Sequence, residues 1–157
     1  MKKEGDKAID FKLLDKDDKE YSLKDLKNDF KVLYFYPKDD TPVCTIEALA
    51  FDKEIPEFNK LNTTIIGISG GDSNSKKKFC DKYKIKILLL SDTDLKVSEK
   101  YGVISEKQFM GKKFKGINRT TFIIDKSGKI IKSYENVNPV GHSKDILEFL
   151  KKEVKQK

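Results

Sequence analysis

"KVLYFYPKDDTPVCT", Lys31–Thr45, runs from a continuous apolar stretch, through two prolines, into a cysteine. Its first seven residues, rich in β-branched and aromatic side chains, read as a strand buried on both faces. Pro42 suits a first helical position, which makes Thr41 the N-cap and puts Cys44 in the first turn of a helix. Unpaired N–H groups and partial positive charge at that end favour thiolate over thiol. Pro37 and the apolar strand would wall the sulfur off from water. A cysteine so placed is a candidate nucleophile. The ordinary alternative for a free cysteine is a small buried hydrophobe.

Outward from this stretch, strands and helices alternate. From Pro42 to about Leu61 the apolar residues Ile46, Leu49, Ala50 and Phe58 fall largely at helical spacing, and Pro56 should kink or interrupt that helix. "TTIIGIS", Thr63–Ser69, is a second buried strand; the Gly70-Gly71 turn after it is no phosphate loop, since no "GK[ST]" follows. Asp72 or Ser73 caps a helix to about Tyr83. Ile87–Asp92 reads as a third strand, with Asp92 or Asp94 capping a short helix through Leu95 to Tyr101. Thr120–Asp125, "KSGK" and "IIKSYE" form a hairpin around a Ser-Gly turn. "GHSKDILEFLKKEVKQ" closes the chain as an amphipathic helix with Ile146, Leu147, Phe149 and Leu150 inward, and His142 at its start reads as structural. Phe11–Leu14 and Tyr21–Leu23 flank "DKDDKE" as a small preliminary hairpin. This order predicts an α/β fold with a mixed sheet, compatible with a thioredoxin-like core, although the C-x-x-C of dithiol exchange is missing. No repeat or linker divides residues 1–157, so one domain is expected.

Composition narrows the function classes. The chain carries 33 basic and 26 acidic residues, net +7, but the acids are scattered among the bases. The densest basic run, Lys76–Lys78, reads as a solvated helix face. Aromatics interleaved with arginines are absent, so no nucleic-acid partner is expected. No apolar run approaches the ~18 residues of a membrane span, and "MKKEGDKAID" lacks the apolar stretch of a secretory signal. Two cysteines without such a signal point to a reducing compartment, the cytoplasm. "NTT" and "NRT" match the glycosylation pattern but carry no meaning in that setting. Among the 33 basic residues only Arg119 is arginine. That hints at a local need for a planar, bidentate cation. Taken alone, Arg119 is as readily a strand-edge ion pair, and Glu47 an exposed helix carboxylate.

The segment "YPKDDTPVCTIEA" resembles the active site of peroxiredoxins, whose Pro-x-x-x-Thr/Ser-x-x-Cys pattern is met by Pro37, Thr41 and Cys44. With Glu47 three residues after the cysteine it is similar, more narrowly, to the bacterioferritin comigratory protein or PrxQ subfamily. Arg119 in "RTTFIIDKSGK" stands where that family carries an active-site arginine, and "NPVGHSKDILEFL" resembles its C-terminal segment. One departure is Val43, where the subfamily usually has glycine; the side chain either narrows the pocket or points outward.

The resemblance implies a thioredoxin-like fold, a central mixed sheet flanked by helices with an N-terminal β-hairpin extension. It also implies a thiol peroxidase acting on hydrogen peroxide and organic hydroperoxides without metal, haem or flavin. In that reading the Cys44 thiolate attacks the O–O bond and Arg119 supplies fixed charge. Thr41 and the Cys44 N–H hold the peroxide oxygens, Pro37 shields the sulfur, and Glu47 orients Arg119. Five residues after Cys44, where many members keep the resolving cysteine, stands Leu49. A second subfamily arrangement places it about 36 residues on, where Cys80 stands; the alternative for Cys80 is packing beside Phe79 and Tyr83. A disulfide needs Cα atoms within roughly 7 Å, so the Cys44 turn is expected to unwind and the Cys80 helix to loosen first. Lysines around Cys80 are expected to help lower its pKa. A dithiol reductant such as thioredoxin would close the cycle, on a monomer or weak dimer. The rivals are a one-cysteine peroxidase served by an external thiol, and a basic binding module with inert cysteines.

Overall fold

The computed structural model describes residues 1–155. In chain order the elements are β1 (Leu13–Leu14), β2 (Glu20–Tyr21), β3 (Phe30–Phe35), α1 (Pro42–Lys53), α2 (Ile55–Lys60), β4 (Thr63–Ser69) and α3 (Ser73–Tyr83). They continue with β5 (Leu88–Ser91), α4 (Lys96–Tyr101), β6 (Ile104–Phe109), β7 (Lys112–Ile117), β8 (Thr120–Ile124), β9 (Ile130–Tyr134) and α5 (His142–Lys155). Seven strands form one mixed sheet in the order β2-β1-β5-β4-β3-β8-β9, and β6 and β7 pair with each other. β3 runs parallel to β4 and antiparallel to β8, so it is covered on both edges, and all six of its residues are buried. That is why its sequence is continuously apolar rather than alternating.

The two faces of β3 feed two cores. Phe30, Val32, Tyr34 and, just beyond the strand, Tyr36 pack with Cys44, Ala48, Phe51, Phe79, Cys80, Ile146 and Leu150 from α1, α3 and α5. Leu33 and Phe35 point the other way, onto Phe11, Tyr101, Phe122 and Ile124. Fully burying a side chain of this size contributes about 1.5–3 kcal/mol. Both cysteine-bearing helices therefore lie on the same face of the sheet. Tyr34 pairs in register with Gly67, and a Cβ there would stand 2.7 Å from Tyr34 Cζ and from Leu89 Cδ2. Glycine makes room for the ring.

The N-terminal hairpin forms, and β1 joins the main sheet through β5. The helix expected from Pro42 to Leu61 is two helices that break at Glu54, with Pro56 in the first turn of α2. A missing N–H costs nothing there.

One expectation, the solvated Lys76–Lys78 face, is corrected, and two further features are new. Ile46 and Leu49 do not face the core: they are 50% and 38% exposed, and α1 buries Cys44, Glu47, Ala48 and Phe51 instead. The helix turns its chemistry-bearing face inward. Lys76 is not solvated; it is fully buried, while Lys77 and Lys78 are exposed. The β6–β7 hairpin has no sequence signal of its own, because polar and charged residues fill most of its positions without an apolar alternation. Its turn, Met110-Gly111 with φ +51° and +79°, has the signs of the tight hairpin turn that suits strand twist.

His142 is structural, as expected. It is buried, with Nε2 2.9 Å from Thr121 Oγ1 and its ring set edge-on to Phe51 and Tyr134. Burial pushes its pKa down from 6.5 to about 4, opposed by the charge of Asp145. A lowered histidine pKa means the unfolded chain takes up the proton first as pH falls. Its contribution is therefore intact above pH 6.5 and is lost between 6.5 and about 4. The loss attributable to this group is about 3 kcal/mol. Chemical denaturation across this window should show a steeper fall in wild type than in His142→Phe; equal slopes would mean that His142 titrates alike in both states.

Candidate active site

The register of the sheet assembles the site. Phe35 pairs with Thr120, so Arg119, one residue ahead of β8, sits beside the point where β3 gives way to the loop entering α1. Thr41 is the N-cap, Pro42 opens the helix, and Cys44 is its third residue. Glu47 lies one turn further on the same face. Arg119 joins the two: Nη1 donates to Glu47 Oε1 at 2.7 Å, and Nη2 stands 3.2 Å from Cys44 Sγ. Cys44 is 2% exposed and Glu47 1%.

Burial pushes the Glu47 carboxyl up to about 7, against the pull of the Arg119 charge and hydrogen bond. The same burial works against charge on Arg119, but Glu47 and Cys44 outweigh it and raise its pKa. The guanidinium is the fixed charge of the pair. Its two arms are spoken for in a way that one ammonium could not match.

Thr41 Oγ1 donates to the Lys38 carbonyl at 2.9 Å. Its proton is thereby engaged and its lone pairs remain as acceptors. The first helical bond runs from the Thr45 N–H to the Thr41 carbonyl at 2.9 Å, so the N–H groups of Val43 and Cys44 lie ahead of the helical ladder. Val43 is 46% exposed; it points outward and does not narrow the site. Pro37 is exposed and lines a hollow of about 490 Å³ with Leu95, Phe114 and Ile117, rather than joining the Cys44–Glu47–Arg119 cluster.

Cys80 is buried in α3, and both cysteines are free. Its pKa is raised in spite of the lysines near it. Burial pushes it up to about 11; Lys16 and Lys76 pull it down, while Asp39 and Asp81 push it up. Tyr34 packs in the same core cluster as both cysteines. Burial first, then the charges of Glu47, Cys44 and Cys80, hold its phenol well above the usual range. Asp39 and Lys76 were missed in the sequence, because the partners that give them meaning lie far away in the chain.

The arrangement sets a buried sulfur against a fixed cation, with a hydroxyl acceptor and the Val43 and Cys44 N–H groups at one helix end, the groups a sulfur nucleophile would need. Among the described residues no group of three or more His, Cys, Asp and Glu could hold a metal ion. Nor, among them, is any helix long and apolar enough to cross a membrane.

Residues 4–133 match the model of the AhpC/TSA family. A putative peroxiredoxin bcp of Helicobacter pylori is 42% identical over 146 residues, covering 93% of this chain and 96% of that one. Peroxiredoxin Bcp of Bacillus subtilis is 40% identical over 147 residues, 94% of each. Among solved structures, a cysteine mutant of Xylella fastidiosa PrxQ superposes with a TM-score of 0.90 at 32% identity, covering 98% of both chains. The thioredoxin-like architecture of these peroxiredoxins is the one found here.

Proposed function

We propose that this chain, which belongs to the AhpC/TSA family in its Bcp/PrxQ branch and thereby reduces peroxides through a thiol, uses Cys44 as the attacking sulfur and Cys80 as the resolving one. The observation that carries the reading is the Arg119 guanidinium shared between Cys44 Sγ and Glu47. The Cys44 thiolate attacks the terminal oxygen of ROOH. An S–O bond forms, the O–O bond breaks, and the leaving RO⁻ takes a proton to give water or an alcohol. Arg119 offsets the charge that moves from sulfur to oxygen, while Thr41 accepts from the peroxide O–H and the Cys44 N–H donates to its oxygen. Glu47 orients Arg119, and Pro37 stiffens the loop that leads into α1.

Cys80–SH then displaces hydroxide from Cys44–SOH, forming the disulfide and releasing water. A buried thiol with its pKa pushed up to about 11 is a poor attacker. Loosening of the Cys80 helix exposes the thiol and removes the desolvation that protonates it. A dithiol reductant, thioredoxin, then returns both thiols in the cytoplasm. The reading includes a monomer that at most dimerises weakly. A xanthomonad relative, the Xanthomonas campestris bacterioferritin comigratory protein, carries alkyl peroxide reduction activity in the description of its structure. That relationship favours organic hydroperoxides beside hydrogen peroxide as substrates.

Free-thiol count and intact mass after one equivalent of hydrogen peroxide test the scheme. Loss of both thiols and two hydrogens supports it. A single oxygen on Cys44, with Cys80 unreacted, leaves the peroxidase and removes Cys80 from the cycle. Two unreacted thiols would sink the assignment of Cys44.

A further inference from the structure

Two consecutive aspartates brace the loop that delivers Cys44 against the helix that carries Cys80. Asp39, 7% exposed, accepts from the hydroxyls of Tyr36, Ser69 and Ser75, the last at 2.8 Å, and from Lys76 Nζ at 3.3 Å. Lys76 Nζ also donates to Ser69 Oγ at 2.7 Å and to the Gly71 carbonyl at 3.0 Å. Gly71 leaves the room: a Cβ there would stand 2.2 Å from Asp39 Oδ2 and 3.0 Å from Ser75 Oγ. The next residue, Asp40, is held at φ +56° and turns its carboxylate to Lys82 Nζ at 3.1 Å and the Tyr83 hydroxyl at 2.9 Å.

The two ties fall on either side of Cys80. Ser75 and Lys76 precede it by about one turn, and Lys82 and Tyr83 follow it within one. Both ties end on the loop whose last residue, Thr41, caps the Cys44 helix. A fully buried lysine is a costly way to pack a helix, since an apolar residue of similar volume often serves stability as well or better. Burial lowers the Lys76 pKa, and Asp39 opposes that shift.

We propose that Asp39 with Lys76, and Asp40 with Lys82 and Tyr83, are positioning residues that hold the Cys80 turn helical and so set how long the Cys44 sulfenic acid persists. The inference rests on the two-cysteine reading. In the step concerned the Cys80 S–H and Cys44 S–OH bonds break, S–S forms, and the proton leaves with hydroxide as water. The oxidant has already been spent. On that reading α3 opens before the sulfurs meet, so each tie has to break first. Weakening a tie speeds the second step and leaves the attack on peroxide alone.

The test is rapid-quench thiol trapping with mass analysis, separating loss of the Cys44 thiol from formation of the disulfide. Asp40→Asn cuts the exposed tie. Asp39→Asn with Lys76→Met removes both buried charges at once, so that neither is stranded. The first step should stay within about twofold of wild type, and disulfide formation should rise about threefold for Asp40→Asn and about tenfold for the double variant. Less sulfinic acid should form in excess peroxide, and Asp40→Glu, which keeps the carboxylate, should stay near wild type. Disulfide formation unchanged or slowed in Asp40→Asn, with the first step intact, overturns the proposal even if the double variant does not fold. Absence of any disulfide in wild type takes the two-cysteine reading down, and this inference with it.

Discussion

Arg119→Lys lowers the rate of Cys44 oxidation by about 10²–10³, the range seen when one pre-aimed donor is removed from a charge-stabilising site. The geometry explains why a retained positive charge does not rescue it. The guanidinium spans Glu47 Oε1 at 2.7 Å and Cys44 Sγ at 3.2 Å with two different nitrogens. An ammonium is one point on a flexible stem; it satisfies the carboxylate or the sulfur, but not both at fixed angles. If lysine stays with Glu47, the sulfur loses its cation. If it moves to the sulfur, a buried carboxyl whose pKa already sits at about 7 loses its partner and takes up a proton. The measurement is the second-order rate constant of Cys44 thiol loss with hydrogen peroxide, taken in Arg119→Lys beside a thermal-unfolding control. A rate within about threefold of wild type would reduce the Cys44–Arg119 contact to an ordinary ion-pair neighbourhood.

Much of this site was legible because its signals are local. The Thr41–Pro42–Cys44 spacing encodes a helix N-terminus by itself, and the structure puts Cys44 in that first turn. Arg119 was conspicuous as the one arginine in a lysine-rich chain. That it reaches Cys44 depends on the Phe35–Thr120 pairing, and β register is a long-range property that no short window displays. The resemblance of two distant motifs stood in for that pairing.

Lys76 shows where reading stops. In "KKK" the three residues are chemically identical, yet one is fully buried and two are exposed. Asp39, Ser69 and the Gly71 carbonyl, all outside α3, distinguish it. The same holds for the face of α1. Ile46 and Leu49 fall at helical spacing with Ala50 and Phe58, but the strand and Arg119 recruit Cys44 and Glu47 to the inner face, and Ile46 and Leu49 are left outside. A helix that buries a charged residue for its chemistry exposes apolar residues in exchange, and a pattern based on hydrophobicity then points to the wrong face.

Cys80→Ser leaves the first reaction with peroxide near its wild-type rate but cuts steady-state turnover with a dithiol reductant by about tenfold or more. Resolution by a thiol in the same chain draws on an effective concentration that millimolar external thiol only just matches. Serine keeps the size and burial of the side chain, so the α3 packing around Phe79 and Tyr83 should survive. What goes is the sulfur that closes the disulfide. The Cys44 sulfenic acid then persists within reach of a second peroxide, and successive oxidation to sulfinic acid removes the enzyme irreversibly. The variant should therefore slow during turnover, and faster at higher peroxide, with mass placing two oxygens on Cys44. The opposite outcome is as informative. If Cys80→Ser turns over like wild type and resists overoxidation equally, an external thiol resolves Cys44. The raised pKa and burial of Cys80 would then describe a packed core residue, and the aspartate ties around it would serve stability alone.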